Sequence, residues 1–354
     1  MASKKTNVKV RLSCPMPTLE FSEILLGHGS GGLLTNKLLE SGVFSLLDNP
    51  YLAPHHDGSI VEVQGKIAFT TDSFVISPIF FPGGDIGELS VNGTVNDLAM
   101  CGAIPRFLSL SFILEEGLPM SEFWQILCSI KAAAENAGVQ IITGDTKVVD
   151  RGKGDKVFIN TTGIGEVHPR ADIHPQRVSV GDKIIINGDI AAHGMAIMSV
   201  REGLEFETTI ESDTAPLHQA VLALLDEFGD RIHLLRDATR GGVATVLAEI
   251  SRHCSTGIEL WEKEIPVARE VAGACEILGL DPLYVANEGR FVALVDPEVA
   301  SAAVELLKDQ QYCPSPCIVG EVVEEHPGQV ILISRIGGRR TVNMLPGEQL
   351  PRIC

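Results

Sequence analysis

Residues Leu235–Ile250 read LRDATRGGVATVLAEI. An apolar stretch breaks at Arg236 and Asp237, passes Arg240 and two glycines, and resumes with small and apolar residues at helical spacing. The segment is a strand that turns into a helix, and helix N-termini of this kind favour anions. The same grammar extends both ways. Ahead of it lie a strand in KIIINGDI, a helix in HGMAIMSVREGL and another over about 215–228. Behind it come a strand in GIELWE, a helix in REVAGACEILG, a strand in LYVANEGRFVALV and a helix in PEVASAAVELLKD. Strands in PCIVGEVVE and VILISRI follow.

An earlier set has the same character. Strands in KIAFTTDSFVISP, RFLSLSFIL, VQIITGDTKV and KVFINTTGIGEV accompany helices in DIGELSVNGTVNDLAMCGA and SEFWQILCSIKAAAENAG. The second of these helices takes Ser121 as N-cap and Gly138 at its C-terminus. Between the two sets, HPRADIHPQRVSVGD (168–182) is polar, proline-containing and without period. The expected fold class is α/β (α+β) with two domains. An irregular lead-in covers 1–20, one domain 21–170, the other 171–335, and a tail 336–354.

The 354 residues, 45% of them apolar, suffice for two cores. Lys+Arg number 28 against 46 Asp+Glu, a net charge of −18. Such a surface repels nucleic acid and anionic lipid, so neither is an expected partner. A phosphate ligand would need local cancellation by cations or backbone amides. No run reaches the ~18 apolar residues that span a bilayer. No apolar segment follows the basic start MASKKTNVKVRLSCP, and a cytoplasmic location is expected. The eight cysteines include no C-x-x-C, and CPSPC (313–317) is the only close pair. Most read as small buried hydrophobes rather than a disulfide framework.

Four aspartates recur in similar settings: Asp57 in HHDGS, Asp72 in TTDSF, Asp97 in VNDLA and Asp145 in TGDTK. Mg²⁺ takes carboxylate oxygens together with phosphate oxygens and waters, and converging aspartates repel unless a cation lies between them. Each aspartate alone is equally what caps a turn. GHGSGG (27–32) offers consecutive backbone amides from Gly29, Ser30, Gly31 and Gly32 to an anion, or serves as a plain linker into a helix. It lacks the G-K-S/T ending of a Walker loop and the frame of a dinucleotide fingerprint. ANEGR places Asn287, Glu288 and Arg290 in an apolar strand. A Glu there is costly unless paired or working, although alternation would equally turn it to the surface. His28 and His193 each precede a glycine and read as structural.

Together GHGSGG, DSFVISPIFFPGGDIG, GTVNDLAMCGAIP, FILEEGLPM, TGDTKVV, FINTTGIG, LRDATRGGVATVLAEI, ANEGR and terminal PRIC resemble the HypE family of nickel–iron hydrogenase maturation proteins. The blocks occur in order and cover nearly the whole chain from about Glu20. That family belongs with aminoimidazole ribonucleotide synthetase, thiamine-monophosphate kinase and selenophosphate synthetase. The resemblance implies two α/β domains, ATP bound through Mg²⁺, and a homodimer whose N-terminal domains join their sheets. It implies that a carbamoyltransferase loads a carbamoyl group onto the terminal sulfur. ATP-dependent dehydration then makes a thiocyanate, and the cyanide passes to iron on a scaffold complex. Carried onto these positions, Asp57, Asp72, Asp97 and Asp145 hold Mg²⁺ and the triphosphate, and Gly29 to Gly32 close over the phosphates. Lys147 stabilises the phosphorylated amide, Glu288 accepts protons, and Asn287 and Arg240 orient groups.

The chain ends MLPGEQLPRIC. A thiol that must visit a carbamoyl donor, an ATP site and an iron acceptor belongs on a tether, which gives high effective concentration at each. Pro346 and Pro351 keep the tether extended. Arg352 is a candidate to help ionise Cys354, whose own carboxylate disfavours the thiolate. Cys14, in LSCPMP, reads as structural or incidental. A selenophosphate synthetase would not need Cys354, and a non-catalytic thiol carrier or scaffold would not need the four aspartates.

Overall fold

A computed structural model describes residues 21–354 apart from 31, 55–57, 204–208, 346–349, 351 and 354. The N-terminal half supplies α1 (Leu33–Leu38), β1 (Ile67–Phe74), a minimal pair β2 (Phe80–Phe81) and β3 (Gly84–Asp85), and α2 (Ile86–Met100). Then follow β4 (Ala103–Glu115), α3 (Met120–Ala137), β5 (Gln140–Val149) and β6 (Val157–Val167). Its sheet runs β1-β6-β4-β5 and is antiparallel except between β4 and β5. The C-terminal half holds β7 (Lys183–Ile186), α4 (Ala192–Arg201), α5 (His218–Phe228), β8 (Ile232–Asp237), α6 (Gly242–Cys254) and β9 (Gly257–Trp261). It continues with α7 (Arg269–Leu278), β10 (Phe291–Val295), α8 (Ala300–Lys308), β11 (Cys317–Val323), β12 (Val330–Ile333) and β13 (Arg339–Val342). Its sheet runs β13-β12-β9-β11-β7-β10-β8.

Period-two patterning sets the faces of the first sheet. Leu108, Leu110, Phe112 and Leu114 of β4 point inward and are buried. Ile113 of β4 and Phe69 of β1 point the other way and remain 45% and 67% exposed. Asp85 caps α2, its Oδ1 accepting the Gly87 and Glu88 N–H groups at 2.7 and 3.1 Å. Nearly all of α2 is buried because it lies between the first sheet on one side and α5 and β8 on the other. Its small residues permit that: a Cβ on Gly93 would stand 2.9 Å from the Phe74 ring. One core runs from Phe74 and Leu89 of the first half to Ile184 and Val292 of the second.

Three expectations need correction. Ser121 lies inside the first turn of α3, and Pro119 holds the N-cap position. The strand expected across LYVANEGRFVALV begins only at Phe291; residues 282–284 form a 3-10 turn, and 285–290 are irregular. The segment expected to be all tail contains β13, which pairs antiparallel with β12 at the sheet edge. Its residues Arg339, Arg340 and Thr341 are exposed, so β13 carries no apolar alternation to reveal it. Among the described residues no helix is long and apolar enough to cross a membrane.

Candidate active site

The candidate residues gather at two poles, one where the two halves meet and one at the far edge of the first sheet. The acidic pole forms where β1, α2 and β8 meet. Asp72, near the end of β1, accepts the Ser73 N–H at 2.7 Å. Asp97, in the last turn of α2, accepts the Thr70 hydroxyl at 2.8 Å. Asp237 ends β8 opposite Phe291 of β10. The pairing continues past the strand, with Ala238 N–H donating to Arg290 O (3.0 Å) and Asn287 N–H to Ala238 O (3.1 Å). This brings Glu288 beside Asp237.

Glu288 is 3% exposed, and its Oε1 has no hydrogen-bond partner among the described residues. Burial first, then Asp213, and then Asp237, Asp72 and Asp97, push its carboxyl well above the usual range. Burial followed by Asp97 pushes Asp237 up to about 7. Burial also raises Asp72 and Asp97, which Arg240 and Arg236 respectively oppose. Acids this crowded want positive charge between them. No three acidic, His or Cys side chains close on one point among the described residues. A cation here would therefore take one or two carboxylates plus oxygens from a nucleotide, the ordinary habit of Mg²⁺. The donor set, hard oxygens beside a buried acid with a free lone pair, fits that ion.

The second pole holds the glycine loop. Ser30 Oγ and Thr35 Oγ1 both donate to the Gly27 carbonyl, at 3.0 and 3.2 Å. Gly29 lies so close to β5 that a Cβ would stand 2.4 Å from the Val148 nitrogen. Beside it Lys147 Nζ meets both oxygens of Asp145, at 2.6 and 2.7 Å. The Lys147 contact holds the exposed Asp145 carboxyl below its usual range. A cavity of about 160 Å³ lined by Gly29, Leu39, Phe44, Leu110, Ile141 and Lys147 lies under this loop. Its apolar wall and charged mouth suit a ligand with a flat apolar part and an anionic end.

Four expected positions thus form two groups. Asp72 and Asp97 share the acidic pole with Glu288, whereas Asp145 stands on β5 at the opposite sheet edge, with β6 and β4 between. At ~4.8 Å per strand that separates the β1 and β5 backbones by roughly 14 Å. Gly32 starts α1. Gly31, Asp57 and Cys354 lie outside the described residues. Asn287, expected to contact the ligand, has its amide engaged by the backbone, accepting from Ala191 N–H (2.7 Å) and donating to Ala238 O (2.8 Å) and Val285 O (3.1 Å). These bonds shape the turn that presents Glu288. His28 is also structural, accepting the Leu25 N–H at 2.9 Å.

Sequence reading left out three contributors. Asp237 was legible as a turn residue but not as an acid of this cluster. Asn96 joins the halves, donating to Ala215 O (3.0 Å) and Glu288 O (3.2 Å) and accepting the Leu217 N–H (2.8 Å). Asp213 accepts the Glu288 N–H. No periodicity marks either of the last two, because their partners are remote in sequence.

A family model described as AIR synthase related protein, N-terminal domain, matches residues 55–167, and its C-terminal counterpart matches 179–333. The carbamoyl dehydratase HypE of Rhizobium leguminosarum bv. viciae is 48% identical over 330 residues, 93% of this chain and 94% of that protein. The carbamoyl dehydratase HypE of Escherichia coli K12 is 42% identical over 339 residues, 94% of this chain and all of that protein. A crystal structure of the hydrogenase maturation protein HypE in complex with ATP superposes with a TM-score of 0.90 at 45% identity, covering 93% of this chain and 99% of that one. A HypE–HypF complex matches at TM-score 0.77 and 43% identity, over 89% of this chain and the whole of that one.

Proposed function

The chain belongs to the HypE family of carbamoyl dehydratases, and we propose that its own last residue is the substrate carrier: an S-carboxamide on Cys354 is dehydrated to a thiocyanate at the expense of ATP. The observation that carries this reading is Glu288, a buried acid with an unused oxygen among four other carboxylates, in a chain that ends on a thiol.

An amide oxygen leaves poorly as hydroxide or oxide. Its attack on the γ-phosphorus expels ADP and makes the oxygen part of a phosphate ester. Loss of two N–H protons, with departure of inorganic phosphate, then leaves S–C≡N. The oxygen of the formal water ends on phosphate, so atoms balance. Glu288 accepts a proton in this sequence; its raised pKa makes it a stronger base once ionised. Lys147, paired with Asp145 at the glycine-loop pole, would neutralise the phosphorylated oxygen, and the loop Gly29–Gly32 would offer N–H groups to the polyphosphate. Asp72 and Asp97 would hold Mg²⁺, with Asp237 beside them, whereas Asp145, roughly 14 Å away across the sheet, would serve a separate ion at the glycine-loop pole. When bound, that ion supplies charge cancellation for the transferring phosphoryl group.

The open face of the first sheet, with Phe69 and Ile113 exposed, supports a homodimer formed through it. The carbamoyl donor is a carbamoyltransferase partner, in keeping with the HypE–HypF complex, and the acceptor an iron-carrying scaffold in the cytoplasm. The alternatives, a selenophosphate synthetase or a passive thiol carrier, are not favoured by relatives named carbamoyl dehydratase. Cys354→Ala tests the reading: ATP still binds, but no cyanide forms. Cyanide found on another residue of that variant would overturn it.

A further inference from the structure

The last described residues are seated on both halves of their own chain. Leu350 and Ile353 are buried. The Arg352 carbonyl accepts the Ser77 N–H at 3.3 Å and also the Arg201 guanidinium. The Arg352 side chain pairs with Asp155 and reaches the Val75 carbonyl at 3.3 Å. Val75, Ser77 and Asp155 belong to the first half, whereas Arg201 ends α4 of the second.

The contact next to Cys354 is made by an imidazole. His193 Nε2 lies 2.7 Å from the Ile353 carbonyl oxygen, and Nδ1 lies 2.8 Å from Ser212 Oγ. A carbonyl only accepts, so Nε2 carries the proton. Thr214 N–H donates to Ser212 Oγ at 3.1 Å, leaving the hydroxyl proton for Nδ1. The ring is wholly buried and meets Phe81 edge-on at 5.6 Å. Burial holds the imidazole below its usual range, which keeps it neutral. Both ring nitrogens are thus committed, one to the tail and one to the 212–214 turn.

The same helix start is tied to the segment that presents Glu288. Gly194 N–H donates to Ala286 O at 3.0 Å, and Ala191 N–H to Asn287 Oδ1 at 2.7 Å. On the other side Ser212 precedes Asp213, the residue that accepts the Glu288 N–H. His193 is therefore braced twice against the turn that carries the buried acid.

We propose that His193, oriented by Ser212, is a positioning residue: it holds the Ile353 carbonyl, the acyl half of the peptide bond to Cys354, and so delivers the terminal sulfur to the Glu288 turn of its own chain. The inference rests on the reading of Cys354 as the group that reacts. Losing the latch leaves nucleotide binding alone and frees the tail.

Two readouts on the full-length protein test it. The first is the rate at which iodoacetamide alkylates Cys354, followed by mass spectrometry. The second is the single-turnover conversion of pre-carbamoylated tail to thiocyanate with ATP. His193→Ala raises the first about tenfold and lowers the second about tenfold, the effect of one lost buried hydrogen bond. His193→Gln, whose amide N–H reaches the same carbonyl, recovers most of both. Ser212→Ala, which leaves the ring but frees its orientation, shifts both in the same direction by less. A merely structural role for His193 would not accelerate alkylation in a variant that still binds ATP with wild-type affinity. Unchanged alkylation in His193→Ala and Ser212→Ala, both folded, would overturn the proposal. If wild type never converts the carbamoylated tail while alkylation still depends on His193, the dehydratase reading fails and the latch stands.

Discussion

The backbone N–H of Glu288 donates to Asp213 Oδ1 at 3.1 Å, so the most confined acid of the site is pinned against a second carboxylate. Burial and the surrounding carboxylates raise the Glu288 carboxyl well above the usual range, which makes it a stronger proton acceptor once ionised. Glu288→Gln keeps the shape and removes the base. We expect the variant to accept the carbamoyl group normally and to dehydrate it about 10²- to 10⁴-fold more slowly, the usual span for a lost general base. Mass analysis of the tail over time measures both steps. Normal turnover would remove Glu288 from the mechanism.

Gly289→Ala attacks the same turn without touching an ionisable group. A Cβ there would stand 1.8 Å from the Asp213 carbonyl oxygen, so backbone must move. Forced overpacking of this kind costs about 1–3 kcal/mol. We expect a lowered melting temperature and dehydration reduced along with it. A variant as stable and active as wild type would show that the turn tolerates displacement.

The acidic pole predicts a pH dependence with a definite sign. Asp237 is pushed up to about 7, whereas an unfolded aspartate titrates near ~3.9. The native state therefore holds this proton more tightly than the unfolded chain. The stability it confers is complete below about pH 4 and is lost as pH rises through about 7. Asp237→Asn removes that loss, so its melting temperature should gain on wild type as pH rises from about 4 to about 7 in metal-free buffer. A difference that stays constant across that range would contradict the electrostatic account.

Asp72→Asn and Asp145→Asn separate the two poles. Asp72 faces Asp97 and Glu288, and its loss should cut ATP-dependent turnover about 10²-fold or more by removing phosphoryl positioning. Asp145 is exposed, accepts the Thr146 N–H and forms an ion pair with the neighbouring Lys147, a pair contributing about 1 kcal/mol or less to stability. Its variant should melt like wild type while turnover falls. Isothermal titration with Mg-ATP and a melting curve decide the matter; full turnover in Asp72→Asn would exclude that aspartate from the site.

For the open sheet face, Phe69→Asp should convert a dimer to a monomer in light scattering at micromolar concentration, because burying a charge on that face is costly. An unchanged mass would place the subunit contact elsewhere.

Much of this architecture was legible from the chain. The α2 and α3 helices, the four strands of the first sheet and the turn at Asp237 follow from local pattern and end signals, which depend on near neighbours. β13 was hidden because an exposed edge strand of Arg339 to Thr341 needs no apolar alternation. The Glu288 turn looked like strand because its neighbours are apolar, yet Asn287 and Gly289 bend it by contacts with Ala191 and Asp213, remote in sequence. For the same reason the four aspartates looked like one cluster. Sequence shows that an acid ends a strand, but the order β1-β6-β4-β5, which parts Asp72 from Asp145, is a property of the assembled sheet.

The most direct test is intact mass spectrometry of the C-terminal peptide after incubation with a carbamoylating partner, with and without ATP. The account predicts one carbamoyl group gained on Cys354 and, only when ATP is present, the subsequent loss of one water. A carbamoyl group that persists with ATP, or a cyanide appearing at any other position, would contradict it.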